Sequence, residues 1–238
     1  LEAFALEMKD THTFAIDCEW GGKDHNWGYL RSLQVSWASH TAAVFTFYRE
    51  NGEPTELAYD LLDGTHKRPV YNEQALLILQ GMLDTDETYL IGHNGRGDLI
   101  WMFLHLQMKN IAERLKFDTM LAHHALNDTL PHDLTYLSNT MSDLGVYDTE
   151  LNNYKRDNKI NQKMLDADSY GMIPYDILAP YSAKDVDATF QIYEKLKPEI
   201  DNDPQLKYLF YEIIMPVTPA ILEMELNGLD VDVPALLK

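Results

Sequence analysis

The stretch Thr13-Phe-Ala-Ile-Asp-Cys-Glu-Trp20 begins with an apolar run and then carries two acids one residue apart. A short apolar run of this kind predicts a buried β-strand. Successive side chains of a strand point to opposite faces, so Asp17 and Glu19 should project together and Cys18 should point the other way. Burying two acids is costly unless a cation or hydrogen-bond donors receive them. Converging carboxylates suit Mg²⁺ or Mn²⁺, although a solvated strand end would show the same pattern.

The composition is that of an ordinary globular protein, with 45% hydrophobic and 24% charged residues in a chain of 238. A single cysteine excludes an internal disulfide and favours a reducing compartment. No apolar stretch resembles a signal peptide or approaches membrane-spanning length. We therefore expect a soluble cytoplasmic protein with no membrane partner.

The charge balance is strongly acidic, because 38 acids face 19 bases and the formal net charge is −19. A protein that grips duplex DNA electrostatically usually presents a basic face. Either nucleic acid is not the ligand, or only a few nucleotides are held and metal ions supply the positive charge. The acids alone do not decide between these two readings.

The order of predicted elements indicates an α/β fold. Strands are predicted for residues 13–20, 30–38, 42–48, 88–91 and 115–117, and helices for residues 72–83, 99–106, 118–127, 180–199 and from 204 onward. Pro180 would open the fourth helix, while Pro216 and Pro219 would kink the last. We expect a mixed five-stranded sheet flanked by helices, with three early antiparallel strands and later strands joined by crossovers. Residues 49–69 and the loop-rich excursion 141–173 have little periodicity.

Two further segments place acids where they could join Asp17 and Glu19. Asn94-Gly-Arg-Gly-Asp98 lies where a strand ends and a helix begins, the usual place for a site in an open α/β sheet. Tyr181-Ser-Ala-Lys-Asp185 puts a phenol and a carboxylate one helical turn apart. Each pattern alone also occurs elsewhere, as in Asp148-Thr-Glu150. The order and settings of all three segments together carry the signal.

As a set, these segments resemble the three motifs of the 3′–5′ exonucleases that use four acids and a tyrosine, within the ribonuclease H-like fold. The closest resemblance is to the proofreading domain of family A DNA polymerases, over roughly residues 10–200. Phe14-Ala-Ile-Asp-Cys-Glu19 matches the first motif, Gly92-His-Asn-Gly-Arg-Gly-Asp98 the second and Tyr181-Ser-Ala-Lys-Asp-Val-Asp-Ala-Thr189 the third. Histidine-type relatives carry a histidine five residues before the last acid, where this chain has Pro180, so that subgroup is excluded.

The resemblance implies hydrolysis with two Mg²⁺ or Mn²⁺ ions. Asp17 would bridge both ions, Glu19 and Asp185 would complete the site of the attacking water, and Asp98 would hold the second ion through water. Tyr181 would orient that water through a hydroxyl that stays protonated at neutral pH. Metals would neutralise the carboxylates and one phosphate at a time, so a short single-stranded end would need no broad basic face.

Residues that contact the substrate are expected next to these acids. The second motif points to His93 and Asn94. Trp20 is a further candidate, together with Trp27 and Tyr29, because aromatic rings stack on bases. The loop that carries these rings departs from the bacterial pattern, as does the excursion 141–173. Such departures would suit a phage enzyme.

The resemblance divides the chain into an exonuclease domain at 1–203 and, at 204–238, a helical connection with the start of a truncated polymerase domain. We therefore expect a polymerase fragment that removes nucleotides from single-stranded or frayed DNA 3′ ends and has no polymerase activity. One alternative is an RNA 3′ exonuclease like ribonuclease D, which would share all three motifs. The other is a catalytically silent nuclease fold that only binds DNA, against which the intact acids argue.

Overall fold

A five-stranded mixed sheet forms the centre of the computed structural model, which describes residues 1–59 and 69–236. The strands are β1 (Thr13–Gly21), β2 (Tyr29–Ser36), β3 (Ala43–Thr46), β4 (Tyr89–Gly92) and β5 (Leu115–Asp118), in the order β3-β2-β1-β4-β5. The first three strands pair antiparallel, and β4 pairs parallel with both β1 and β5. The predicted α/β fold is confirmed, while part of the predicted connection 49–69 lies outside the described residues.

Helices connect and cover the strands. They are α1 (Glu2–Glu7), α2 (Glu73–Leu83), α3 (Arg96–His105), α4 (Ile111–Arg114), α5 (Thr119–Leu126), α6 (Leu134–Met141), α7 (Thr149–Asp157), α8 (Gln162–Asp168), α9 (Tyr175–Asn202), α10 (Pro204–Tyr208), α11 (Val217–Asn227) and α12 (Val233–Leu236). A 3₁₀ turn occupies Glu50–Gly52. None of the described helices is both long and apolar enough to cross a membrane.

The central strand is β1, which has a neighbour on each edge. Its apolar residues Phe14, Ala15 and Ile16 are buried in the main hydrophobic core, as the sequence pattern predicts. Both α3 and α9 pack against β1 and β2. The strand that carries the first two acids is therefore held rigidly between sheet neighbours and helices.

The long helix α9 begins five residues before the position that the sequence indicates. Its first residue is Tyr175, preceded by Pro174, and Pro180 lies inside the helix. The prediction that Pro180 opens the helix was therefore wrong, because the helix begins at Tyr175 with Pro174 as its N-cap. Because proline lacks an N–H, Pro180 cannot donate the helical hydrogen bond to the carbonyl of Asp176, four residues earlier. Asp176 is exposed, so water can hydrogen-bond its carbonyl instead.

The excursion 141–173 has more helix than its composition indicates. It contains α7 and α8, and Leu151 of α7 packs with Ile173 and Leu178 in a small second cluster. Few apolar residues make this contact, so a periodic pattern is hard to see in the sequence. The packing places the excursion against the start of α9.

The segment after α9 is helical but broken. A π-helix at Leu209–Ile214 separates α10 from α11, and Pro216 immediately precedes α11. Of the two prolines predicted to kink this segment, Pro216 lies at the break before α11, whereas Pro219 lies within the first turn of α11. Gly228, with φ of 64°, ends α11, which is a conformation that glycine adopts readily.

Candidate active site

Three carboxylates from distant parts of the chain meet at the sheet. One oxygen each of Asp17, Glu19 and Asp185 lies within 4.8 Å of the other two. Asp17 is half-buried, and the other two residues are buried. A bulge in the β1–β2 pairing directly follows Glu19, and such bulges commonly re-aim side chains beside active sites. The alternation predicted for Asp17 and Glu19 therefore brings both acids to one place.

The second motif places Asp98 next to β1, the strand that carries Asp17 and Glu19. Asp98 lies in the first turn of α3 and is buried. Its Oδ1 accepts a hydrogen bond of 2.9 Å from the backbone N–H of Cys18, the residue between the two acids of β1. A close approach precedes this helix, because a Cβ added at Gly95 would lie 3.2 Å from the Cα of Gly92. The tight strand-to-helix turn thus presents Asp98 to the first motif.

Asp118, the first residue of the helix predicted at 118–127, shapes this turn. Its carboxylate accepts hydrogen bonds from the backbone N–H groups of Asn94 (3.1 Å) and Gly95 (2.9 Å). It also caps α5 by accepting from Met120 (2.9 Å) and Leu121 (3.1 Å). One buried side chain therefore joins the end of β5 to the loop that leads to Asp98.

Helix α9 supplies the third motif and a residue that sequence reasoning left unassigned. Ser182 is buried, and its hydroxyl donates to Oε1 of Glu19 at 3.1 Å. It lies three residues before Asp185, a spacing that puts both on one face of a helix. That spacing could have identified Ser182 beforehand. Tyr181 also hydrogen-bonds Asp185.

Tyr147 is a second tyrosine at the site, and the sequence contains no signal for it. Its hydroxyl donates to Oδ1 of Asp185 at 2.5 Å across 38 residues of chain. The Ser138 side chain hydrogen-bonds Tyr147 in turn, and the rings of Tyr147 and Tyr181 lie 6.1 Å apart. Asp185 therefore accepts hydrogen bonds from two phenols, Tyr147 in the excursion 141–173 and Tyr181 on α9.

The charged forms of the four acids are disfavoured by their surroundings. Burial, followed by repulsion from neighbouring carboxylates, raises the pKa of Asp17 well above its ordinary value. Burial likewise raises the pKa of Glu19 to about 8, of Asp98 to about 7 and of Asp185 to about 6. A divalent cation would relieve both the burial cost and the repulsion. The donor set of hard carboxylate oxygens fits Mg²⁺ or Mn²⁺.

Tyr181 is held as a neutral phenol. Burial and the charges of Asp185 and Glu19 raise its pKa far above the ordinary value for tyrosine. The hydroxyl can therefore donate and accept hydrogen bonds at neutral pH but cannot remove a proton as a phenolate.

Comparison with known proteins decides the family. A family model described as 3′–5′ exonuclease matches residues 1–201. The chain belongs to the 3′–5′ exonuclease family of family A DNA polymerases. The family expectation drawn from the three motifs is thereby confirmed, and the chain contains a 3′–5′ exonuclease domain.

Two phage polymerases are similar to this exonuclease domain. The DNA polymerase of Escherichia phage T5 is 33% identical over 169 residues, which are 69% of this chain and 20% of the phage protein. The DNA polymerase of Bacillus phage SP01 is 29% identical over 178 residues, which are 69% of this chain and 18% of that protein. The chain spans about a fifth of the length of these curated relatives.

Solved structures of a bacterial protein share the fold. Brucella melitensis NrnC with bound Mg²⁺ has a TM-score of 0.60 at 17% identity, over 96% of this chain and 93% of that chain. The same protein bound to pGG has a TM-score of 0.62 at 19% identity, over 96% of this chain and 92% of that chain. The likeness shows a common ribonuclease H-like fold.

The aromatic candidates for base contact have different surroundings in the exonuclease domain. Trp20 is half-buried and stacks on Trp101, with centroids 5.3 Å apart and planes at 19°. Tyr29 is half-buried against the core and packs edge-on against Tyr48, with ring centroids 5.2 Å apart. Trp27 is 85% exposed. Of the three rings, Trp27 is the one whose faces are open to solvent.

The two second-motif candidates also differ. Nδ1 of His93 lies 2.9 Å from the hydroxyl of Thr119, and burial lowers the pKa of His93 to about 4. His93 is therefore neutral at physiological pH. Asn94 is exposed, with φ of 54°. The turn presents its side chain to solvent, whereas His93 is tied to α5.

Proposed function

We propose that this exonuclease domain removes nucleotides from the 3′ end of single-stranded or frayed DNA, in the manner of a proofreading site. The observation that carries the proposal is the meeting of Asp17, Glu19 and Asp185 oxygens within 4.8 Å. Asp98 would join them as the fourth metal-binding acid. Two Mg²⁺ or Mn²⁺ ions held there would stabilise the attacking and leaving oxygens of an in-line displacement.

The other residues of the site have positioning roles in this proposal. Tyr181 would orient the attacking water through its neutral hydroxyl. Ser182 holds Glu19 by a hydrogen bond of 3.1 Å, and Tyr147 holds Asp185 by one of 2.5 Å. Trp20, His93 and Asn94 remain our candidates for substrate contacts. The cytoplasm is the compartment in which we place the activity, since DNA replication takes place there in bacteria and in phage-infected cells.

The direct test follows the length of a 5′-labelled single-stranded oligonucleotide with Mg²⁺. We expect a ladder of products shortened from the 3′ end, and none after the double change Asp17→Ala with Glu19→Ala. Glu223→Gln, an exposed change on α11, serves as the matched control and should behave as the wild type. Degradation by the double variant would overturn the assignment. An RNA strand of the same sequence, degraded faster than DNA, would favour the ribonuclease D-like alternative.

We further propose the domain division at residue 203, with 204–238 leading into a polymerase domain. Two observations support it: the family match ends at residue 201, and the phage relatives are about five times longer than the part matched. An apolar face on the last helices, formed by Ile213, Val217 and Ile221, is exposed and would contact that polymerase domain. The purified chain should not extend a primed template with deoxynucleotides, and extension by the homogeneous protein would contradict the division.

A further inference from the structure

A lysine from the excursion lies at the edge of the carboxylate cluster. Leu151 of α7 packs against Ile173 and Leu178, in the same cluster that Tyr181 contacts. Lys155 follows Leu151 by four residues, which puts both on one face of the helix. Lys155 is half-buried as a result. The packing of α7 therefore turns this side chain toward the start of α9 and the active site.

Tyr170 holds the ammonium group in place. Lys155 Nζ lies 4.6 Å from the centroid of the Tyr170 ring and 3.3 Å from its hydroxyl. The backbone of Tyr170 is anchored to the strand that carries the acids, because its N–H donates to the Trp20 carbonyl at 3.3 Å. Its own carbonyl accepts from Arg31 Nη1 at 2.6 Å. The tyrosine that carries the ammonium group is thus anchored through its backbone to the strand of Asp17 and Glu19.

Within the part of the chain that the structure describes, the Lys155 ammonium has no carboxylate partner. Among residues 1–59 and 69–236, no carboxylate forms a salt bridge with Lys155. Burial lowers its pKa, while the charges of Glu19, Asp148 and Asp185 act in the opposite direction. A lysine that served only to neutralise the acids would be expected to contact one of them. Resting on an aromatic ring instead, the ammonium keeps donors free for another anion.

We propose that Lys155, held on Tyr170, binds a phosphodiester oxygen of the single strand next to the carboxylate cluster. The ligand class is the oxyanion of a nucleic-acid backbone, which a lysine contacts as a point charge. The inference rests on the proposed exonuclease function of the same site. It explains how an acidic protein offers a positive charge to the single-stranded substrate beside the active site. It also gives the excursion 141–173 a role in binding that substrate.

The test measures kinetics on a labelled single-stranded decanucleotide at several salt concentrations. For Lys155→Met we expect KM to rise about 10-fold, as for the loss of one hydrogen bond to a charged group, while kcat changes less than twofold. The plot of log kcat/KM against log salt should become shallower by about 0.7, the value for one phosphate contact on a single strand. Lys155→Arg should keep the wild-type salt slope.

Lys159→Met is the matched control, because Lys159 is exposed just beyond the same helix and should leave KM and the salt slope unchanged. An unchanged KM and slope for Lys155→Met would overturn the inference and leave the proposed function standing. Equal effects of the Lys155 and Lys159 changes would also overturn it, since they would indicate general electrostatics. No hydrolysis by the wild type would overturn the proposed function and this inference together.

Discussion

Replacing Glu19 with glutamine removes one charge from the buried cluster and keeps the shape of the side chain. Glu19 is 5% exposed, and an amide oxygen can still accept the hydrogen bond from Ser182. Burial, and next the charge of Asp185, raises the pKa of Glu19 to about 8 from its ordinary 4.5. We therefore expect Glu19→Gln to make the metal-free protein more stable than the wild type at pH 8.

The size of the effect follows from proton linkage. An acid with a raised pKa in the folded state contributes stability that is complete below its unfolded-state pKa and is lost as pH rises through its folded-state pKa. For Glu19 this window runs from pH 4.5 to about pH 8. At about 1.4 kcal/mol per pH unit, the wild type loses at most about 5 kcal/mol across the window. Because neighbouring acids share the repulsion, we expect Glu19→Gln to gain about 2–5 kcal/mol at pH 8 and little at pH 4.

The assay is urea unfolding followed by tryptophan fluorescence, in EDTA, at pH 4, 6 and 8. Glu223→Gln, an exposed change of the same type, should leave the free energy of unfolding unchanged. Added Mn²⁺ should stabilise the wild type more than Glu19→Gln, because binding to the folded state adds stability and the variant has lost a ligand. Equal stability of wild type and Glu19→Gln in EDTA at pH 8 would refute the reasoning.

Three further substitutions each test one side chain of the site. Tyr181→Phe should slow hydrolysis by about 10–100-fold with Mn²⁺ still bound, because the water-orienting hydroxyl is lost while the 2.5 Å hydrogen bond from Tyr147 still holds Asp185; a rate equal to the wild type would mean that Tyr181 only packs. Tyr147→Phe should weaken Mn²⁺ binding by about 10-fold in calorimetry, since Asp185 loses a hydrogen-bond donor, and unchanged affinity would exclude that role. Asp118→Ala should lower the free energy of unfolding by about 2–4 kcal/mol in urea, because four backbone N–H groups lose their acceptor. A loss below about 0.5 kcal/mol would show that water replaces the carboxylate.

Local signals in the sequence were enough for the sheet and for the placement of the acids. Period-two alternation predicted that Asp17 and Glu19 project to the same side, and the strand-to-helix junction predicted the position of Asp98. These features depend on residues close to one another in the chain, where the backbone alone determines the direction of side chains. The order of the elements, three strands followed by strands separated by helices, predicted the antiparallel and parallel pairings that the sheet shows.

Contacts between distant segments could not be predicted in the same way. Tyr147 reaches Asp185 across 38 residues, and Ser182 reaches Glu19 across 163. The helices of the excursion are stabilised by packing of few apolar residues such as Leu151, so tertiary contacts outweigh a weak periodic pattern. The helix start at Tyr175 was missed because two prolines six residues apart, Pro174 and Pro180, both suit a first turn.

A crystal structure with Mn²⁺ and a short single strand, made resistant to cleavage by a phosphorothioate at its 3′ linkage, tests the central claim most directly. Anomalous scattering should show two Mn²⁺ ions about 4 Å apart at the carboxylate cluster. Asp17 should contact both ions, and the 3′-terminal linkage should lie against them. The absence of any Mn²⁺ within about 2.5 Å of an Asp17 oxygen at saturating metal would contradict the account.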